Sequence, residues 1–370
     1  MLFVAGCNGL NLSNSLPASG VGEDGTRTRT TTIPSSYVRA CPDEGAGFVR
    51  CDVLDATGTP PSTPSGLGAT DLEAAYNLPS ASLGAGQIVA AVDAFDAPNA
   101  ASDLASYDAQ YGLPAAHFRK YNQIGQQKNY PKPNPGWTLE ESLDIEMLSA
   151  GCPKCTIILV EANNASNRNV EAAVQEAYKL GATVVSNSYG GGGLNEAVYT
   201  HHGVTVLASS GDGGYGTQQP ASFERVVSVG GTILTKGGGG RGWSEVAWPG
   251  SGSGCTNQPK PSWQTDAGCH HRTMNDVSAV ATNVAVYESG WTEVAGTSIS
   301  SPLVSSIFGL AGNSTTQDGG KTFWEPKHHK ALYDITTGSN GTCTPSYLCT
   351  AGPGYDGPTG WGTPNGIGAF

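Results

Sequence analysis

The sequence of 370 residues lacks an apolar run near the ~18 residues that a membrane-spanning helix needs. It is also poor in basic side chains, with 19 Lys and Arg against 31 Asp and Glu and a net charge of −12. Charged residues make up only 14% of the chain, well below the usual share in soluble proteins. These shortages argue against a membrane span and against nucleic acid as a partner.

Glycine and proline are abundant, with 52 and 23 residues, but hydrophobic residues at 38% still suffice for a sizeable core. The composition predicts an acidic globular protein. A Pro- and Ser-rich stretch at 59–66 is typical of a linker. We therefore interpret residues 1–66 as a leader or linker, with a truncated signal or pro-segment as one alternative, and residues 67–370 as the main domain.

Eight of the nine cysteines fall into pairs that are close in sequence, which favours small disulfide loops in an oxidising compartment over free thiols or metal ligands. The predicted pairs are Cys41–Cys51, Cys152–Cys155, Cys255–Cys269 and Cys343–Cys349. Cys7 is left over, and the apolar residues before it are similar to the end of a bacterial lipoprotein signal. We expect a secreted protein, with a cell-surface lipoprotein anchored at Cys7 as the alternative.

Short apolar strands alternate with helical patterns after residue 66, which predicts a doubly wound α/β fold with a mainly parallel sheet and helices on both faces. The predicted strands are 87–93, 156–162, 183–188, 204–209 and 225–230, and the predicted helices are 139–150, 169–180 and the run that starts at 303. No internal repeat is present, so a single large domain is expected.

The strongest local motif is Gly-Thr-Ser-Ile-Ser-Ser-Pro at 296–302, which precedes an apolar helix. A serine at a helix start lies among unpaired backbone N–H groups that stabilise a developing oxyanion. Ser298 alone would be interpreted as an ordinary N-cap, but the whole string matches the nucleophile motif of the subtilisin-like superfamily.

A nucleophilic serine needs a base. A histidine base would have to be His202 paired with Asp93, but these lie too far apart in the chain for the subtilisin order, and His202 leads into a strand. Glu140 and Asp144 are one helical turn apart, so one carboxylate could act as base while the other orients it. The competing interpretation is a solvated acidic helix face, and Glu141 is a rival to Glu140.

With Glu140, Asp144, Asp212 in Ser-Gly-Asp-Gly-Gly, and Ser298 in this order, the chain resembles the sedolisins, the serine-carboxyl peptidases, from about residue 72 to its end. The resemblance implies that Ser298 attacks the peptide carbonyl, Glu140 takes its proton, Asp144 orients Glu140, and Asp212 lies in the oxyanion hole. An oxyanion partner must be protonated, which favours activity at acid pH. Without the resemblance, Asp212 would be interpreted as a turn residue.

The resemblance also implies one calcium ion, since the C-terminal loops match the calcium loops of sedolisins. The expected ligands are the side chains of Asp334 and Asp356 and the carbonyls of Ile335, Gly352 and Gly354, all hard oxygen donors of the kind Ca²⁺ prefers. Two ordinary turns that happen to contain Asp are the alternative.

Substrate peptides pair with a strand edge in proteases of this kind. The stretch 186–191 resembles the strand that lines the cleft, and it gives Ser186, Ser188, Gly190 and Gly191 as candidate substrate-binding residues, with a plain strand end as the alternative. The resulting prediction is a secreted, monomeric endopeptidase acting on polypeptides. The rivals are a histidine-dependent subtilisin and an inactive binding module.

Overall fold

A computed structural model describes residues 36–58, 61–238 and 240–370, so Cys7 and its predicted lipid anchor lie outside the described residues. None of the helices in these ranges is long and apolar enough to cross a bilayer. The α-helices described are α1 Ala69–Tyr76, α2 Ala100–Tyr111, α3 Pro135–Gly151, α4 Asn167–Lys179, α5 Thr297–Ala311 and α6 Lys321–Trp324. Single 3₁₀ turns cover Glu196–Tyr199, Ser314–Thr316, His329–Ala331 and Ser346–Leu348.

The strands in the N-terminal half of the chain are β1 Tyr37–Arg39, β2 Arg50–Cys51, β3 Leu54–Ala56, β4 Ile88–Ala94, β5 His117–Asn122, β6 Thr156–Ala162, β7 Val184–Asn187, β8 Tyr189–Gly190 and β9 Thr205–Ser209. Those of the C-terminal half are β10 Val226–Lys236, β11 Trp243–Ala247, β12 Gly254–Pro259, β13 His271–Met274, β14 Val277–Val280, β15 Val284–Tyr287, β16 Trp291–Ala295, β17 Leu332–Tyr333 and β18 Thr363–Pro364.

The main sheet has the strand order β11-β10-β9-β7-β4-β6-β5, and β14 also pairs with β10. All neighbours are parallel except β10 and β11. The order reverses at β4, since β6 and β5 follow on one side and β7, β9 and β10 on the other. The predicted doubly wound α/β fold is confirmed, and the carboxyl end of β4 is the switch point at which such sheets bind ligands.

The central strands lie where the apolar runs of the sequence predict them. Each of these strands is covered on both faces, so its residues are apolar throughout rather than alternating. β6 has the bounds that were predicted, and β4, β7 and β9 differ by a residue or so at their ends. In α4 the predicted apolar face is the buried one, formed by Val170, Ala173, Val174 and Ala177. Helix α4 packs on β4 and β6 through this face.

The helices α3 and α5 pack against each other and on the sheet, and they position the candidate site. Asn134 caps α3, since its side chain accepts hydrogen bonds from the amides of Gly136 and Trp137, and Pro135 occupies the first helical position. Gly296 precedes α5 with φ of 132°, a conformation that favours glycine. Every residue of α3 from Trp137 onward is buried, including its acidic ones.

Residues 36–58, which belong to the stretch interpreted as a leader or linker, contain three short strands. Strand β1 pairs with β3, and β3 pairs with β16 in a small antiparallel sheet whose order is β1-β3-β16-β15. Strand β2 pairs with β8. These strands have two or three residues each, too few for a periodic signal in the sequence.

All four predicted disulfides are formed: Cys41–Cys51, Cys152–Cys155, Cys255–Cys269 and Cys343–Cys349. The paired cysteines are separated by 3 to 14 positions in the sequence. Such short disulfide loops are typical of proteins that fold in an oxidising compartment.

Candidate active site

Ser298 is the second residue of α5 and is fully buried. Glu140 and Asp144 lie one turn apart on the neighbouring α3, and neither has any exposed surface. The alternative of a solvated acidic face on α3 is therefore wrong. The structure brings these three residues together across the contact of the two helices.

Burial raises the pKa of Glu140 well above its usual range, and the negative charges of Asp144 and Asp93 raise it further. The Ser298 hydroxyl acts in the opposite direction and lowers the Glu140 pKa. That hydroxyl donates its own hydrogen bond to the carbonyl oxygen of Ser188 at 3.3 Å. Since two close buried carboxyls cannot both ionise easily, the Glu140–Asp144 pair retains a proton over a wide pH range.

The acidic pair continues into a larger buried cluster. Asp93, at the carboxyl end of β4, is fully buried, and burial raises its pKa to about 8. Burial also raises the pKa of Glu141 well above its usual range, with Glu161 and Asp93 as the next causes. Lys120 forms ion pairs with Glu161 at 3.1 Å and with Asp96 at 2.5 Å. Glu141 therefore faces this ion-paired end of the cluster, whereas Glu140 faces Ser298.

Asp212 lies in the turn after β9 and contacts the start of α5. Its Oδ1 accepts hydrogen bonds from the Thr297 amide at 2.8 Å and the Thr297 hydroxyl at 3.0 Å. Burial raises the pKa of Asp212 to about 8, and the charge of Asp52 adds to the rise. The carboxyl is therefore protonated at neutral and acid pH, which lets it donate a hydrogen bond.

Asp52 is a site residue that the sequence analysis missed. Its carbonyl oxygen accepts from the Ser298 amide at 3.3 Å, and its amide donates to the Ser188 carbonyl at 3.1 Å. Its Oδ2 accepts from the Ser209 hydroxyl at 2.7 Å and from the Gln218 side-chain amide. No sequence signal marks Asp52, because it stands in the leader between strands too short to recognise.

The predicted substrate-binding residues have different surroundings. The Ser188 carbonyl and the Gly190 backbone lie along the edge that residues 50–52 occupy. The Ser186 hydroxyl instead shares a hydrogen bond with the Ser301 hydroxyl of α5 at 3.0 Å, away from this edge. The Gly191 amide donates to the Gln219 carbonyl at 2.9 Å.

The predicted calcium loops lie side by side. The Gly354 amide donates to Asp334 Oδ2 at 2.8 Å, and the Gly352 amide donates to Asp356 Oδ2 at 2.9 Å. Burial raises the pKa of Asp356 to about 7, and the nearby charge of Asp334 contributes to the rise. Within the described ranges, no group of three or more His, Cys, Asp or Glu side chains could hold a metal ion. The predicted set has two acidic side chains and otherwise backbone carbonyls.

The rival base, His202, is exposed in the turn before β9. Ser298 in contrast is buried against carboxyl groups. A serine that lies beside carboxyl groups rather than an imidazole is the arrangement that the resemblance to the sedolisins implies.

The chain belongs to the subtilase family, whose model matches residues 128–362. Its relatives confirm the resemblance to sedolisins. It is 28% identical to kumamolisin from Bacillus sp. (strain MN-32), covering 83% of this chain and 63% of the relative. It is 23% identical to sedolisin from Pseudomonas sp. (strain 101), covering 81% of this chain and 60% of the relative. The chain thus spans about three fifths of the length of the curated relatives that it matches.

The fold also matches a solved structure of Pseudomonas sedolisin, a serine-carboxyl proteinase complexed with two molecules of pseudo-iodotyrostatin. The TM-score is 0.71 at 24% identity, and the match covers 82% of this chain and 96% of that chain. This likeness supports the assignment of the fold.

Proposed function

We propose that this protein is a secreted serine-carboxyl endopeptidase that hydrolyses peptide bonds in polypeptides. The observation that carries the proposal is a set of three buried side chains. The charge of Asp144 raises the pKa of Glu140, and Glu140 lies within hydrogen-bonding reach of the Ser298 hydroxyl. The separation of Glu140 from the ion-paired part of the acidic cluster supports its role as the base. The four disulfides support folding outside the cytoplasm.

In the first step, the Ser298 hydroxyl oxygen attacks the carbonyl carbon of the substrate and Glu140 accepts the hydroxyl proton. The C–N bond then breaks, and Glu140 returns the proton to the leaving amine. Water hydrolyses the resulting ester by the same route and restores Ser298. Asp144 shares a proton with Glu140 and orients it, so the pair can release and take up protons without placing two charges side by side.

The oxyanion forms between two donors in this proposal. One is the Ser298 amide at the start of α5, where the helix dipole adds to the stabilisation. The other is the protonated Asp212, whose Oδ1 is fixed by Thr297 and whose Oδ2 is free to donate. A charged Asp212 would repel the oxyanion, so activity requires a pH below the Asp212 pKa of about 8.

We also propose that one calcium ion binds the C-terminal loops through the side chains of Asp334 and Asp356 and the carbonyls of Ile335, Gly352 and Gly354. The proximity of two acidic side chains supports this, since Ca²⁺ offsets their mutual repulsion. Calcium would hold the two loops together and would take no part in the proton transfers.

The test is a pH–rate profile on a denatured protein substrate, with the Ser298→Ala variant as control. We expect cleavage at acid pH that declines above about pH 8 and is absent in the variant. A purified protein that cleaves no unfolded substrate between about pH 3 and pH 8 would instead support an inactive binding module.

A further inference from the structure

Basic side chains are concentrated in one stretch of this acidic chain. Residues 109–139 contain no Asp or Glu, although the chain as a whole has a net charge of −12. The same stretch contains Arg119, Lys120, Lys128 and Lys132. It runs from the last residues of α2 through β5 to the first residues of α3. A positive potential therefore arises at one place on a protein whose overall charge repels anions.

Two of these four cations remain unpaired on the loop between β5 and α3. The Lys120 ammonium is held in the ion pairs described above. Successive side chains of a strand point to opposite faces, so Arg119 lies on the face of β5 away from Lys120 and belongs to a different surface. Lys128 and Lys132 are both exposed. Neither of them forms an ion pair with a residue in the ranges that the structure describes.

The loop that carries the two lysines is fixed by hydrogen bonds of its own. The side-chain oxygen of Asn122 accepts from two loop amides at 2.9 Å and 3.1 Å, and its Nδ2 donates to the Lys128 carbonyl at 3.0 Å. The Tyr130 hydroxyl donates to the Lys120 carbonyl at 3.1 Å. The main-chain positions of Lys128 and Lys132 are thus set before a ligand arrives, which reduces the entropy that is lost on binding.

The same loop borders the candidate active site. It leaves β5 at the carboxyl edge of the main sheet, because β5 runs parallel to β6 and β6 runs parallel to β4. Near its end, Pro133 forms a β-bridge with Asp96, just beyond β4. Lys132 stands two residues before Asn134, the cap of α3, and Glu140 follows that cap by about 9 Å along the helix. Charges here act on a peptide that approaches the cleft, since salt at about 0.1 M screens them only over about 10 Å.

The carboxylates that lie against the loop have cations of their own. A Cβ atom on Gly125 would be 2.3 Å from Glu176 Oε1, so Glu176 contacts the start of the loop. The other oxygen of Glu176 pairs with Lys179 at 2.8 Å. At the end of the loop, Asp96 is paired with Lys120. The positive charge of the loop therefore persists at its surface.

We propose that Lys128 and Lys132 form a cationic rim beside the cleft, which captures polypeptide substrates through an acidic segment outside the residues at the cut. This rests on the proposed function. A segment with several Asp or Glu complements the two unpaired ammonium groups, a neutral segment gains nothing from them, and a basic segment is repelled. Since the lysines are exposed, the effect falls on capture of the substrate, and thus on kcat/KM and its salt dependence.

The first test compares three peptides that share the residues around the cut and carry a flank of Glu, Gln or Lys. The flank stands before the cut in one set and after it in a second set. At about pH 6 the Glu side chains are ionised, while Asp212 with its pKa of about 8 remains neutral. In one of the sets we expect kcat/KM to fall at least about threefold from Glu to Gln and again from Gln to Lys in low salt. The three values should converge at about 0.5 M salt.

Equal kcat/KM for the Glu and Gln peptides in both sets would overturn this inference and leave the proposed function intact. If that result came with binding of dextran sulfate that depends on Lys128 and Lys132, the two lysines would be assigned to an anionic polysaccharide instead. Cleavage of none of the peptides would overturn the proposed function itself.

The second test reverses the charge of the rim. The double variant Lys128→Glu with Lys132→Glu should prefer the Lys peptide to the Glu peptide, a reversal that damage to the fold would not produce. Lys154→Glu is the matched control, because Lys154 is equally exposed but lies beyond the far end of α3. It should keep the wild-type order and values of kcat/KM. An unchanged order in the double variant, or the same reversal in Lys154→Glu, would overturn the proposal.

Discussion

Asp212 is held by Thr297, the residue directly before Ser298. One carboxyl oxygen accepts from both the amide and the hydroxyl of Thr297, at 2.8 Å and 3.0 Å. This double contact fixes the plane of the carboxyl and leaves Oδ2 without a hydrogen-bond partner among the described residues. The proton of the neutral acid is therefore best placed on Oδ2, next to Gly296 and the Ser298 amide.

Asp212→Asn should move the alkaline limb of the pH–rate profile to higher pH. Burial first, and the Asp52 charge second, raise the Asp212 pKa to about 8, so the wild type loses its neutral donor as the pH rises through that value. An amide donates at every pH and has no such limb. Asp212→Ala should lower kcat about 10²–10³-fold at all pH values. An unchanged alkaline limb in Asp212→Asn would contradict the assignment.

Glu140→Gln should lower kcat about 10²–10⁴-fold, because glutamine cannot accept the Ser298 proton. His202→Ala is the matched control and should leave kcat unchanged, since His202 is exposed. The measurement is steady-state cleavage of a peptide under saturating conditions. Full activity in Glu140→Gln, or a loss in His202→Ala, would favour a histidine-dependent mechanism instead.

Asp93→Asn should flatten the pH dependence of stability. The folded-state pKa of Asp93 is raised to about 8 by burial, above the ordinary value of an exposed carboxyl. Its contribution to stability is therefore full below about pH 4 and is lost as the pH rises through 8. Unfolding by denaturant at pH 4 and pH 8 measures this.

In the wild type the free energy of unfolding should fall more between these pH values than in Asp93→Asn. A difference of the opposite sign would show that Asp93 is charged in the folded protein. Because Asp93 is buried, its substitution changes the free energy of unfolding at every pH. The comparison is therefore the change in this free energy between the two pH values within each protein.

Chelation of calcium should lower the Tm by several degrees. Binding to the folded state alone stabilises it by about 2.7 kcal/mol when the ion is present at about a hundred times its Kd. The double variant Asp334→Asn with Asp356→Asn removes both acidic ligands, so its Tm should not respond to chelator or to added calcium. A wild-type Tm that is insensitive to chelator would exclude the calcium proposal and leave the peptidase proposal intact.

Local signals explain what the sequence could predict. Strand β6 and helix α4 are long enough for their apolar patterns to be read, and the Gly-Thr-Ser motif marks the start of α5. The pairs of nearby cysteines, such as Cys152 and Cys155, need no knowledge of distant contacts. The order of Glu140, Asp212 and Ser298 along the chain pointed to the family.

Long-range contacts explain what the sequence could not predict. The burial of α3 depends on α5, which follows it by more than a hundred residues, so its acidic residues look the same as those of a solvated helix. Strand β3 has three residues and finds its partner β16 across most of the chain. Asp52 and Gln218 belong to no motif, and only the assembled cleft brings them together.

The Cys41–Cys51 bridge ends one residue before the bond that faces Ser298. The bridge closes residues 41–51 into a short loop, and the pairing of β2 with β8 and of β1 with β3 anchors this loop and the residues just before it. Because Asp52 directly follows the loop and covers the Ser298 amide, the two ends of the loop cannot separate from each other when this backbone moves. Access to the nucleophile therefore requires the disulfide loop to move as one body.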